Sequence, residues 1–534
     1  MHVDPCLSQE QFARLSAYGK SADVAGEVLY APGDRTYDLI LLESATVEVV
    51  RDGTPATPER VVYERGAGDF LGELNLLTGQ AVYLRARVVA SGRIVGIHPD
   101  TLQEVLREQA DVADLLVAEL IRRRGIMREA AANALEIIGS ADAAETLRLR
   151  SYAARLGLPH EAVEPDSVIG RAVLVHQRLG NDDLPVAITD QGVIVRATPG
   201  LVAEAIGLAF GGSLDDVDLV VVGAGPAGLA AAVCAASEGL ATIVLDAVAP
   251  GGQAGASSLI ENYLGYPRGI SGEELTHAGM VQVLKFGAQL HAPCRVDCLD
   301  LGDPEPIVVR LEGGASIRSR AVVVATGAEP RRLDVPRWRE FEGAGRIRYA
   351  ATEVDVRDCR HQHVTVVGGA NSAGQAAMFL ASRGAQVDVL VRSTSLRHSM
   401  SQYLSLRLTN HPQVRVYTGT RLRSLHGSSG EATELESVVV EGPDRVRREL
   451  PSRRIFCFIG SKPETQWIQG VDIDAGGFVE TNGSLPFQTS HPRVFAAGDV
   501  RSGSMKRVAV AVGEGAGAVA SVHLELQRAG RRSG

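Results

Sequence analysis

Cysteine is scarce in this chain, and it never occurs as Cys-x-x-Cys. The six residues are Cys6, Cys234, Cys294, Cys298, Cys359 and Cys457. That scatter excludes a disulfide scaffold and a thiolate zinc site, so no metal centre is expected. It suits a reducing compartment, and we expect a cytoplasmic protein. In the closest pair, Cys294 and Cys298, four residues of strand would span about 13 Å, too far for a disulfide. Positive charge is also short: Lys+Arg 54 against Asp+Glu 64 gives a net charge of −10. Nucleic-acid binding needs a basic face, so it is not expected. The first sixteen residues carry neither the basic nor the apolar segment of a secretory leader. The most apolar stretch, Leu219–Ser237, is interrupted early by Gly223, Gly225, Pro226 and Gly228. It reads as a buried strand, turn and helix, and no membrane partner is expected. Only glycine is in surplus, with 58 residues where average usage of about 7% gives fewer than forty.

The 534 residues suffice for several cores, and 45% hydrophobic against 22% charged residues excludes wholesale disorder. Residues 1–100 read as all-β, in short alternating runs broken by Gly, Pro and Asp. A helical pattern with i, i+3, i+4 spacing follows from Asp100. This first unit, 1–135, resembles the cyclic-nucleotide-binding fold, a β-roll followed by helices. The resemblance rests on Gly68-Asp69-Phe70-Leu71-Gly72-Glu73-Leu74. It implies that Gly72 and Glu73 are the candidate cyclic-nucleotide contacts. The arginine that would hold the cyclic phosphate falls on Gln80, followed by Ala81, when aligned through Leu84-Arg85-Ala86. The alternative is a roll kept for docking or dimerisation. The stretch Ile121-Arg122-Arg123-Arg124 is a candidate dimer helix, or else a helix end packed on the roll.

Residues 136–210 order as strand, helix, strand, helix, hairpin, helix. With Leu184-Pro185, this small α/β module resembles the thioredoxin fold. The turn that should carry its cysteines reads Gly139-Ser140-Ala141-Asp142, and thiol exchange needs a thiolate.

From 216 the pattern becomes βαβ with a parallel sheet. Gly223-Ala-Gly225-Pro226-Ala227-Gly228 joins a strand to a helix. In a G-x-G-x-x-G turn the glycines allow a tight bend, close approach to a pyrophosphate, and helix–strand packing. Asp246 ends the next strand, where a carboxylate accepts from a ribose hydroxyl. A second turn, Gly368-Gly369-Ala370-Asn371-Ser372, opens another strand–helix unit. The strand after it ends on Arg392, with Arg397 beyond and no acid, so a 2′-phosphate and NADPH are favoured over NADH.

Two dinucleotide units imply two nucleotides. Ala325-Thr326-Gly327, Gly251-Gly252-Gln253 with Asn262, and Gly498-Asp499 with Arg507-Val508-Ala509 complete a pattern that resembles the thioredoxin reductase family of FAD enzymes. The resemblance implies an FAD domain of 216–334 and 461–534 with an inserted NAD(P) domain, 335–460. It places Gly223, Gly225, Pro226, Ala227, Gly228, Asp246 and Ala325–Gly327 on FAD. It also implies that Asp499 holds the ribityl chain, and that Gly252, Gln253, Asn262 and Arg507–Ala509 lie by the flavin. Gly369, Asn371, Ser372, Arg392 and Arg397 would hold NADPH. The family's redox Cys-x-x-Cys falls on Ala351 and Val354, so no catalytic thiol pair is expected. Three functions are weighed: an FAD-dependent NAD(P)H oxidoreductase with an acceptor such as ferredoxin, quinone, a disulfide or oxygen; a disulfide reductase acting through a partner's cysteines; and a cyclic-nucleotide-responsive flavoprotein. A homodimer and a redox protein acceptor are the expected partners.

Overall fold

A computed structural model describes residues 7–52, 59–73, 75–129, 135–141, 143–189, 191–212, 214–257, 259–302, 306–349, 351, 359–396, 399–428 and 433–532. The N-terminal unit holds two four-stranded antiparallel sheets face to face, with helices Pro99–Glu108 and Ala110–Glu129 after them. One expectation fails here. The region before residue 100 is not all-β: helix Gln9–Ser16 precedes the first strand. Its cause is local, since the Ser8 hydroxyl accepts from the Gln11 N–H while the Gln11 side chain accepts from the Ser8 N–H, a capping box. The helices expected after the roll are two, divided at Gln109, whose φ of −114° and ψ of 74° leave the helix.

Two of the three arginines of the second helix, Arg123 and Arg124, are buried rather than presented to a partner. Arg123 is fully buried and pairs with Asp69 at 2.9 Å and Glu119 at 2.8 Å. Its guanidinium also lies 4.1 Å from the Phe70 ring centre. A buried cation is tolerated only when it is paired in this way. Ile121 and Arg122 on the same turn remain exposed.

The middle module is a four-stranded mixed sheet in the order His160–Val163, Leu135–Ile138, Val186–Thr189, Gly192–Ile194. Helices Ala144–Arg155, Val168–Gln177 and Pro199–Ala205 accompany it. Its sheet joins the roll through Arg51 and Glu136, 2.6 Å apart and mostly buried.

The first dinucleotide unit is a seven-stranded sheet with Leu214–Val222 at its centre, parallel to Thr242–Leu245 and Ser316–Val324. Val494–Ala496 returns from the far end of the chain to pair with Ser316–Val324. Helix Val508–Arg532 is long and apolar enough to cross a membrane over Val508–Arg528. Here it lies along helix Pro226–Ser237 and buries Ala518, Val519 and Val522 in the core. The inserted unit has five parallel strands, 347–348, 454–457, 363–367, 386–391 and 414–418, and a separate three-stranded sheet. The two chain crossings between the units pair with each other, Glu329–Pro330 against Ser461–Lys462.

One continuous apolar cluster runs from Leu41 and Phe70 of the roll, through Leu149 and Tyr152, to Val221 and Met280 of the dinucleotide unit. The inserted unit has its own core around Val366, Val389 and Leu380.

Replacing Arg123 with Ala removes the cation that Asp69 and Glu119 share and leaves Asp69 with Arg65 and Glu119 with Arg122. We expect a loss of about 1.5–3 kcal/mol from the N-terminal unit, read by calorimetry as an earlier first transition. A change below about 1 kcal/mol would show that the network is not what fixes the helix to the roll.

Candidate functional site: two nucleotide turns and a missing thiol pair

The strand Leu214–Val222 ends in a turn whose shape is set by close backbone approach. Gly223 has φ +106°, and a Cβ there would lie 2.4 Å from the Ala325 carbonyl oxygen. Gly225 differs: a Cβ would meet nothing closer than the Gly252 Cα at 3.9 Å. The protein therefore leaves that space open. Helix Pro226–Ser237 starts there with no side-chain cap, so its first N–H groups and dipole face the same space. The Thr326 hydroxyl is buried beside this turn with no partner among the described residues. An orphan donor and an uncapped helix start fit a pyrophosphate.

Asp246 stands just past strand Thr242–Leu245 and is half-buried. Its carboxylate accepts from Ala224 N–H at 2.8 Å and from Val248 and Ala249 N–H at 2.9 Å. Those bonds fix its direction. Gly252 and Gln253 form a short helical turn facing Gly225, and Gln253 and Asn262 are exposed. Ala325, Thr326 and Gly327 follow strand Ser316–Val324.

At the far end of the chain, Gly498 and Asp499 make a single 3-10 turn, and Arg507, Val508 and Ala509 lead into the last helix. Burial raises the Asp499 pKa, with the Lys506 ammonium opposing. Lys506 also donates to the Asp499 carbonyl at 3.1 Å. What holds this turn was not foreseen from its sequence. Glu514, buried, accepts from Gly498 N–H at 2.7 Å and pairs with Arg501 at 2.6 Å. An acid set inside the apolar run that opens the last helix is its signal in the sequence. The residues present thus fit FAD, with Asp246 at one end and Asp499 at the other.

The second turn leads from strand His363–Val367 into helix Asn371–Ser382, again without a side-chain cap. Ser399 donates to the Gly369 carbonyl at 2.7 Å, and the Asn371 side chain accepts from Ser401 N–H at 2.8 Å. Both contacts pin the turn, so part of Asn371 is already engaged. Ser372 lies in the first turn of that helix and is exposed, as a nucleotide contact must be. Arg392 is exposed directly after strand Gln386–Val391, while Arg397 lies outside the described residues.

Ala351 is 5% exposed and bridges Ser257, a few residues beyond Gly252 and Gln253. A methyl group thus occupies the place where the resemblance puts a thiol against the flavin segment. Val354 lies outside the described residues. The buried cysteines offer no replacement. Burial pushes Cys294 up to about 11 and Cys457 up to about 12, and Cys359 is fully buried. A thiol held protonated is a poor nucleophile. Among the described residues no cluster could hold a metal ion.

Gly72 and Glu73 sit inside the roll. The Tyr63 hydroxyl donates to the Glu73 carboxyl at 2.5 Å, and the Tyr37 hydroxyl accepts from the Glu73 N–H at 3.1 Å. Burial pushes Glu73 up to about 7, with the Tyr63 hydrogen bond, Arg123 and Arg124 opposing. The segment after it is closed over by other units: Ala81 N–H donates to the Ile206 carbonyl at 2.8 Å. Gln80 is buried and accepts from Arg124 at 3.3 Å. A small cavity there is walled by Thr78, Gln80 and Arg124 of the roll, Leu156 of the middle module and Met280 of the dinucleotide unit.

Comparison with known proteins matches this geometry. Residues 217–515 match the model of the pyridine nucleotide-disulphide oxidoreductase family. Thioredoxin reductase of Treponema pallidum is 33% identical over 301 residues, 56% of this chain and 94% of that protein. The bifunctional thioredoxin reductase/thioredoxin of Mycobacterium leprae is 33% identical over 314 residues, 56% of this chain and 64% of that protein. Among solved structures, Lactococcus lactis thioredoxin reductase in its FR conformation superposes with a TM-score of 0.54 at 26% identity. It covers 59% of this chain and all of that one. The chain therefore belongs to the pyridine nucleotide-disulphide oxidoreductase family, as an FAD-dependent enzyme of the thioredoxin reductase type.

Proposed function

We propose that the chain oxidises NADPH and hands the electrons to an acceptor outside its own polypeptide, without a dithiol of its own. The observation that carries this is Ala351, bridged to Ser257 through the backbone at the position where the resemblance puts a thiol, with Cys294, Cys359 and Cys457 buried. FAD, when bound, supplies the chemistry of accepting hydride from the nicotinamide and passing electrons on. This chain's residues do the rest. Gly223–Gly228 and Thr326 hold the pyrophosphate, Asp246 orients the ribose, and Glu514 keeps the Asp499 turn rigid. Arg392 selects the 2′-phosphate of NADPH. An acceptor must approach the flavin directly. A redox protein, a quinone, a small disulfide or oxygen meets that requirement. A homodimer and a cytoplasmic setting fit the reading.

The roll is best read as a docking module. Glu73 already has Tyr63 as its partner, and the segment after it is covered by the other units. This supports a scaffold over a cyclic-nucleotide sensor, and calorimetry with cyclic AMP and cyclic GMP should give no heat.

An anaerobic NADPH titration is expected to bleach the flavin absorbance stoichiometrically, and an acceptor panel then identifies the outlet. An oxidised spectrum that never changes would overturn the reading. NADPH-driven thioredoxin reduction by the purified chain would instead favour a partner's cysteines. Gly225→Leu should fold, because nothing crowds that Cβ, yet purify without flavin, read as the ratio of flavin to protein absorbance. The raised Glu73 pKa favours the protonated carboxyl in the fold. Its stabilising effect is present below 4.5 and fades as pH rises towards about 7. The first thermal transition should fall across that window, and Glu73→Gln should flatten the slope.

A further inference from the structure

Helix Ala144–Arg155 belongs to the middle module, yet its last turn lies on the dinucleotide unit. Two contacts fix it there. The Tyr152 hydroxyl donates to the Ala292 carbonyl at 3.0 Å. Ala292 sits in a loop wrapped around Asp246: the Asp246 N–H donates to the His291 carbonyl at 3.0 Å, and the Cys294 N–H donates to the Asp246 carbonyl at 2.6 Å. Two residues beyond the helix end, Gly157 lies so close to His277 that a Cβ would be 2.6 Å from its ring. Glu273 stands one turn before His277 on helix Gly272–Lys285.

These contacts bracket Arg155. It is half-buried, and among the described residues no hydrogen bond or ion pair holds its guanidinium. Burial lowers its pKa, while the carboxylates of Asp246 and Glu273 act against that. A guanidinium offers five donors and cannot shed its proton. Leaving it partly desolvated without a partner is costly unless something else supplies acceptors. The nearby acid, Asp246, is the one placed at the adenosine end of the FAD turn. Adenosine and its diphosphate carry the acceptors the guanidinium lacks.

We propose that Arg155 completes the adenosine end of the FAD site from the middle module, so that cofactor and module hold each other in place. Arg155 is then a positioning residue that the dinucleotide fold alone does not contain. Thermodynamic linkage makes the effect reciprocal: whatever factor the docked module adds to FAD affinity, FAD adds to module docking. The inference rests on FAD in the first turn, and it does not depend on the identity of the acceptor.

The test uses the full chain freed of flavin, with Arg155→Met and Arg155→Lys. FAD is titrated by flavin fluorescence and ADP, as the adenosine half alone, by calorimetry. Loss of a charge-assisted hydrogen bond should raise both dissociation constants about tenfold in Arg155→Met. Arg155→Lys should recover part of the loss, and FMN, which lacks adenosine, should bind all forms equally. FAD should also protect the Gly211–Gly212 connection from proteolysis in the parent and not in Arg155→Met. The idea is overturned if FAD and ADP constants in folded Arg155→Met stay within twofold of the parent. It is equally overturned if the variant weakens only the flavin-free fold, which would make Arg155 an interface ion and nothing more. Failure of both proteins to bind FAD at all would instead sink the reading of the first turn.

Discussion

The architecture depends on burying both sides of one helix, Gly272–Lys285. Its Met280, Val281, Val283 and Leu284 are sunk into the shared apolar cluster. Its other contacts reach the middle module at Gly157 and the roll's long helix, where Lys285 pairs with Asp114. Apolar burial of this kind is non-directional and strong in sum. It lets a single cluster pass through three units that differ in fold. The nucleotide turn inherits its rigidity from the same helix, since Thr276 lies against Gly251 and the helix start lies against Ala254.

Local chemistry was legible in the sequence, and tertiary partnership was not. Gly223, Gly225 and Asp246 could be read because a phosphate turn, its helix and the following strand are contiguous. The lack of a thiol at Ala351 needed no coordinates, since a missing atom is visible in the residue name. Glu514 was hidden because its partner, Gly498, is chosen by how the last helix folds back on the strand Val494–Ala496. Arg155 was hidden more deeply: it precedes the turn it approaches by a whole module. Helix Gln9–Ser16 was missed although Ser8 and Gln11 announce it, because the strand-rich surroundings outweighed an eight-residue signal. Arg123 carried an ambiguous sign, since an arginine triplet on a helix reads equally as solvent face or as buried anchor. Burial decided that question, and one of the two carboxylates that make burial tolerable, Asp69, lies some fifty residues away.

The substitution at Ala351 changes the character of the interface between the two dinucleotide units. A dithiol there would have to leave the flavin segment to meet its partner, so that surface would be a transit point. In this chain Ala351 and Ser257 meet there in a backbone bridge instead. Arg407 and Glu261, 3.4 Å apart, bridge the same two units farther out. On the proposed function, electrons then have one fewer covalent station, and selectivity comes from the shape and charge around the flavin.

The two crossings between those units, Glu329–Pro330 and Ser461–Lys462, lie side by side in antiparallel register. The inserted unit therefore leaves and re-enters its host at one point. Seen from the host, everything from 331 to 460 is a loop whose ends already meet, and a tight hairpin could close the gap. Such a unit is exchangeable in the way a cassette is: a different nucleotide-binding insert would fit the same socket without disturbing a strand of the host sheet. The N-terminal half has the opposite arrangement, with added units fused through a common interior that could not be swapped singly.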